Sequence, residues 1–129
     1  MSAPILSAGS VIRVSGTSPA HGRDRAHLFI LAHVKQNGDA IIVPVCSLTV
    51  YSDITLIFYP NKSGLPIKHD SFAALHQTKG IPLANYQRKI ETGEIEFILQ
   101  LAEVELQLVI KGLNDSDETP LWAQSWLEK

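Results

Sequence analysis

Two apolar runs, joined by a turn that only a few residue pairs can make, constrain this chain more than any other feature. His27–Val34 is almost unbroken in apolar residues, Gln36-Asn37-Gly38-Asp39 follows, and Ala40–Val45 is apolar again. Asn-Gly supplies the positive φ angles of a two-residue turn, so the pattern predicts an antiparallel hairpin. The first of these runs, His27–Val34, is apolar throughout rather than at every second position, which predicts a strand covered on both faces.

Short strands with turn signals between them fill most of the rest. A first strand is predicted at Ser10–Ser15, where Val11, Arg13 and Ser15 alternate with Ile12 and Val14. The loop from Gly16 to Asp24, rich in Gly, Ser and Pro, separates it from the hairpin. Asp53–Tyr59 reads as a fourth strand, ended by the turn Pro60-Asn61-Lys62-Ser63-Gly64, and Ile67–Ala74 as a fifth. Thr78–Pro82 reads as a breaker cluster and Ala84–Lys89 as a further short strand. After the turn at Gly93, Glu94–Leu101 alternates cleanly, with Ile95, Phe97, Leu99 and Leu101 on one face.

Ala102–Leu113 fits either period. A strand continuing from residue 94 would be some 20 residues long, against a usual length of about 5–6, so the segment is read as a helix with Gly112 at its C-cap. In the tail, Asn114–Lys129, Thr119-Pro120 signals a helix start, and Trp122 and Trp126 lie one turn apart on one face. That face either docks on the body of the protein or receives a partner. The expected architecture is mainly β: a small SH3-like barrel over residues 1–113 with one helix packed on it, then a short docking helix in 114–129.

Bulk properties exclude several classes. A chain of 129 residues with 45% hydrophobic content has one core's worth of apolar material and is too apolar for intrinsic disorder. No run approaches the roughly 20 apolar residues of a membrane-spanning helix. Met1 to Ala8 lacks the basic start of a signal peptide. The single cysteine, Cys46, precludes an internal disulfide and suits a reducing compartment, so a cytoplasmic protein without membrane partners is expected. The net charge of −2 conceals an asymmetry. Residues 1–93 carry nine Lys/Arg against five acids, a balance of +4, and residues 94–129 carry two Lys against eight acids, a balance of −6. A basic body is compatible with a polyanion, although such a balance is also common on surfaces that bind nothing.

The polar residues that could do chemistry collect at strand ends. Arg23, Arg25 and His27 flank the start of the second strand, and Cys46, Ser47 and Thr49 lie past the end of the third. An antiparallel hairpin returns the latter to the edge where the former begin. Guanidinium groups beside hydroxyls suit a phosphate; the plain alternative is a loop that carries ordinary loop residues. Cys46 has no cation or helix start beside it in sequence to lower its pKa, which describes a buried structural thiol. Imidazoles as a class serve general acid–base work, which makes His69 a candidate. The five histidines (His21, His27, His33, His69, His76) show no paired metal-ligand spacing, so neither a metal nor another cofactor is expected.

In order and type these features resemble the MazF/PemK toxins, ribosome-independent endoribonucleases of toxin–antitoxin systems. Ala8-Gly9-Ser10-Val11-Ile12 is similar to the family's opening strand, Arg25-Ala26-His27-Leu28-Phe29-Ile30 to its Arg-Pro-apolar strand, and Val43-Pro44-Val45-Cys46-Ser47 to its Pro-Ile-Thr-Ser strand end. His69-Asp70-Ser71-Phe72 resembles the segment where the family has Ser before apolar residues, and Thr92-Gly93-Glu94-Ile95 through Gly112-Leu113 resembles its closing strand and helix. The resemblance spans about residues 8–113. It implies an SH3-like barrel that cleaves single-stranded RNA without a metal, forms a homodimer and is neutralised by an antitoxin protein. By the same resemblance Arg25 (with Arg23 as alternative) holds the scissile phosphate, Ser47 assists, and His27, Cys46, Thr49 and Ser71 line the substrate site. His69 is the candidate acid or base. Cys46 stands where the family carries Thr, and a thiol is a weak donor to phosphate oxygen. A barrel that binds a protein or nucleic acid without cutting it is the alternative.

Overall fold

The computed structural model describes residues 3–15, 27–48, 53–60, 62 and 64–128. Its centre is the hairpin. Strands β2 (His27–Val34) and β3 (Asp39–Ser47) pair antiparallel from Leu28↔Val45 to Val34↔Ala40. Gly38 holds φ +94° in the connecting turn, and the Asp39 N–H donates to the Asn37 side-chain oxygen at 3.0 Å. The turn is thus closed by the two residues that predicted it.

Strand β1 (Ser10–Val14) lies beside β2, and beyond it comes an outer strand, Ile95–Gln100. On its other edge β3 is long enough to hold two partners end to end. Lys79–Pro82 pairs with its first half, and Ser71–Ala73 pairs with its last three residues. Ile57–Phe58 continues outward from the latter. In chain order these are β4 (Ile57–Phe58), β5 (Ser71–Ala73), β6 (Lys79–Pro82) and β7 (Ile95–Gln100). All pairings are antiparallel, in the order β4-β5-β3-β2-β1-β7 with β6 on β3, which makes a mainly-β, open seven-stranded sheet among the described residues.

Three helices complete the fold: α1 (Leu83–Thr92), α2 (Glu103–Asp115) and α3 (Leu121–Leu127). They cover both faces of the sheet, as the unbroken apolar strands require. On one face Val11, Ile30, Ala32, Ile41 and Val43 pack with Val109 and Leu113 of α2, and Trp126 and Leu127 of α3 lie against them. On the other, Ile12, Phe29, Leu31, Ala40 and Ile42 pack with Ile90 of α1, joined by Leu83 and Tyr86. Adjacent residues of β2 and β3 therefore serve opposite cores, each buried Val, Leu, Ile or Phe contributing about 1.5–3 kcal/mol.

Several predicted elements are corrected. Ala84–Lys89 is helix, not strand: Leu83, Tyr86 and Ile90 recur at helical spacing and bring one face onto the sheet. The breaker cluster at 78–82 contains β6. Gly80 is tolerated in that strand because a Cβ there would lie 2.7 Å from the Trp126 ring, so glycine permits α3 to close on the strand. Gly112 does not cap α2. It is buried inside the helix, its carbonyl accepts the Ser116 N–H at 3.0 Å, and the helix runs on to Asp115. The fourth and fifth strands shrink from the predicted Asp53–Tyr59 and Ile67–Ala74 to Ile57–Phe58 and Ser71–Ala73. Pro120 precedes the terminal helix instead of starting it.

That terminal helix docks. Trp122 and Trp126 meet edge-on with ring centroids 4.8 Å apart, the Lys35 ammonium sits 4.4 Å above the Trp126 ring, and the Gln124 amide donates to the Leu113 carbonyl at 3.1 Å. Among the described residues no helix is long and apolar enough to cross a membrane.

Candidate functional site

The site follows from the register of the hairpin. The pair Leu28↔Val45 places the next residues outward, His27 on β2 and Cys46 on β3, side by side at the open end of the sheet. Across β3 from β2, β5 pairs Cys46 with Phe72 and Ser47 with Ser71. The segment entering β5 is held to the end of β3 by the Leu48 N–H, which donates to the Asp70 carbonyl at 3.0 Å. This brings Lys68 and His69 to the same end. The result is a cleft of about 210 Å³ whose polar lining is His27, Cys46, Ser47, Lys68, His69 and Ser71, over apolar walls of Leu28, Val45 and Ile67.

Of the eight residues singled out from sequence, five meet here: His27, Cys46, Ser47, His69 and Ser71. Arg23, Arg25 and Thr49 lie outside the described residues. Lys68 was not singled out, although its place beside His69 in Ile67-Lys68-His69-Asp70-Ser71 would have suggested it. It brings a cation to the cleft.

The six polar residues differ in what they can do. Ser47, Lys68 and His69 are exposed and free to meet a solute. Ser71 is buried, and its hydroxyl donates to the His69 carbonyl at 3.0 Å, so it fixes the backbone that carries the imidazole. Burial pushes the Cys46 thiol above its ordinary pKa. It therefore stays protonated at neutral pH, which suits neither a nucleophile nor a strong donor. His27 is half-buried, but its Nε2 is fully enclosed and has no hydrogen-bond partner among the described residues. An enclosed acceptor or donor without a partner is costly, on the order of 1–3 kcal/mol.

Around the cleft stand the exposed His69 imidazole, the Ser47 hydroxyl and the Lys68 ammonium group, whereas the His27 position shares the sheet face of Val14, Phe29 and Leu31, opposite the Leu28, Val45 and Ile67 walls. Imidazoles move protons near neutral pH, and the ammonium and hydroxyl stabilise oxyanions. Among the described residues no three His, Cys, Asp or Glu side chains gather as a metal site. Two other hollows offer different chemistry. A groove of about 200 Å³ between β4 and α2 is mostly apolar, lined by Leu56, Phe58, Val104 and Leu108 among others. A shallow hollow of about 400 Å³ on α1 carries Arg88 and Lys89, with the Arg88 guanidinium already donating to Asn85. Neither unites proton-transfer groups with a cation as the strand-end cleft does. Compared with protein-family models and with curated proteins the chain matches none, so its functional reading rests on the geometry of this cleft.

Proposed function

We propose that the chain is a metal-independent endoribonuclease of the MazF/PemK type that cuts single-stranded RNA in the strand-end cleft, its sheet being the SH3-like barrel of that family. One observation carries the reading: antiparallel pairing gathers His27, Ser47 and His69 with Lys68 around one small cleft. At about 210 Å³, it falls below the ~300–1,000 Å³ that encloses a drug-sized ligand, and suits one backbone linkage of a longer strand. The ribose 2′-hydroxyl loses its proton and attacks the adjacent phosphorus. An ammonium and a hydroxyl, Lys68 and Ser47, stabilise the added negative charge, and an imidazole protonates the leaving 5′-oxygen. Arg25, two residues before His27 in the chain, joins Lys68 as a phosphate ligand, with Arg23 as its alternate. On this reading an antitoxin protein and a second copy of the chain are the partners.

Cys46 favours a second reading. A protonated, partly enclosed thiol at the β3 end is a poor phosphate donor, which suits a barrel that holds RNA or a protein without cutting it. Single-stranded RNA incubated with the purified chain in EDTA separates the two. The nuclease reading expects fragments that vanish with Arg25→Ala and fall about 100-fold or more with His69→Ala. Salt-sensitive RNA binding without fragments supports the second.

A further inference from the structure

We propose that the groove between β4 and α2 is a docking site for an extended peptide bearing an apolar side chain and a basic one, added as a strand to the outer edge of β4. The groove is separate from the strand-end cleft, and the proposal stands or falls independently of the nuclease reading. β4 ends the sheet and has β5 as its one neighbour among the described residues. The Ala73 N–H donates to the Leu56 carbonyl at 3.0 Å, so Leu56 and Phe58 turn their backbone groups towards β5. Ile57, between them, turns its N–H and C=O outward. Such an edge is a template for one more strand.

The groove follows that edge. Side chains alternate between the faces of a strand, so a hollow on one face would touch every second residue. This groove touches Leu56, Ile57, Phe58 and Tyr59 in succession and therefore runs along the strand margin. Its other wall is α2, where Val104 and Leu108 lie one turn apart, belong to neither core and are 68% and 50% exposed. At about 200 Å³, with a mostly apolar lining, it has room for one or two side chains and too little for an enclosed small molecule.

Charge selects the partner. Glu105 lines the same wall; its Oε2 is enclosed without a hydrogen-bond partner among the described residues, whereas its Oε1 is not enclosed. The ion pairs among the described residues are Arg13–Glu96 and Lys111–Asp115, so Lys62, on the β4 side of the groove, leaves Glu105 unpaired. A carboxylate that has lost water from one oxygen is poorly solvated, and a guanidinium or ammonium at the open oxygen supplies a charge-assisted bond. Residues 94–129, α2 included, carry two Lys against eight acids, which adds attraction for a basic partner. An Arg or Lys two residues from an apolar anchor puts both on one side of the added strand.

Peptide binding to the purified chain tests this, read as fluorescence anisotropy. The probe is a fluorescein-labelled peptide, Thr-Leu-Thr-Arg-Thr-Leu-Thr. One companion carries Glu for Arg, and another is N-methylated throughout so that it cannot donate to a strand edge. The probe is expected to bind saturably. Affinity should fall about tenfold or more for either companion, and equally for the probe on Glu105→Gln or Leu108→Lys, both changes at the surface of α2. As a check that needs no variant, the 15N-labelled wild-type chain should show the Ile57 and Glu105 amide resonances shifting with the probe. Absent saturable binding, equal affinity for the Arg and Glu peptides, or shifts confined to the strand-end cleft would overturn the proposal. So would displacement of the probe by butylammonium as effectively as by unlabelled peptide, which assigns the groove to small amines. A dimer in sedimentation that Leu108→Lys abolishes would give the face to a second copy, and overturn it too.

Discussion

Cys46 shows how one side chain sets the limits of the site. Burial pushes its thiol upward, so the reactive thiolate is scarcer at neutral pH than on a free cysteine. Alkylation of the native chain by iodoacetamide at pH 7 is expected to run at least about tenfold slower than that of the unfolded chain. It should speed up as pH rises through the elevated pKa; labelling as fast as in denaturant would contradict the burial. Cys46→Thr exchanges a weak donor for a hydroxyl at the same strand end. One hydrogen bond of about 1 kcal/mol should raise the cleavage rate roughly fivefold, measured as kcat on RNA. Gly80 sets a limit of a different kind, because a methyl group there meets the Trp126 ring at 2.7 Å. Gly80→Ala should destabilise the fold by about 1–3 kcal/mol in urea denaturation, and Trp126→Leu in the same chain should recover part of that loss.

At the scale of elements, the sequence was most readable where a backbone signal and a hydrophobic pattern agreed. The Asn37-Gly38 turn and its flanking apolar runs fixed β2 to the residue and β3 to within two residues at either end. Where the two signals conflicted, reading failed. Gly80 and Pro82 concealed β6, whose tolerance of glycine depends on a tryptophan more than 40 residues away. The Leu83, Tyr86, Ile90 spacing of α1 was present but fell in a stretch too short to separate from a strand without knowing which face is covered. The end of α2 was misplaced because Gly112 sits inside it, and the actual end is marked by a contact that sequence cannot show. The Ser116 hydroxyl there donates to the Asp53 carboxylate at 2.5 Å, which ties the helix end to the approach of β4. Burial pushes the Asp53 carboxyl up, but the hydrogen bonds from Ser116 and Thr55 and the nearby His76 outweigh it and hold it below the ordinary carboxylate range. A depressed carboxylate stabilises the fold above its unfolded pKa and loses that contribution as pH falls through the folded one. Denaturation midpoints should therefore drop below about pH 4 more steeply in wild type than in Asp53→Asn. Solvent around Asp53 keeps the difference below about 1 kcal/mol.

For the whole molecule, the fold and the cleft have one origin, a hairpin buried on both sides. The two cores take alternate residues of β2 and β3, so truncation of either set is costly. Ile41→Ala on one face and Ile42→Ala on the other should each lose about 2–5 kcal/mol, read as separate shifts in urea midpoint. The same pairing carries His27 and Ser47 to one end of the sheet, so the meeting of those two ends could be anticipated from sequence. For Lys68 the only signal in sequence is its place beside His69, and its arrival depends on the Leu48–Asp70 hydrogen bond that holds the β5 approach to the end of β3. Transesterification in that cleft is the central claim, and the chemistry of the RNA ends tests it most directly. Single-stranded RNA is incubated with the purified chain in EDTA, and the fragments are resolved by mass spectrometry. The account predicts 2′,3′-cyclic phosphate and 5′-hydroxyl ends that disappear with His69→Ala. Intact RNA, or fragments bearing 5′-phosphates, would contradict it.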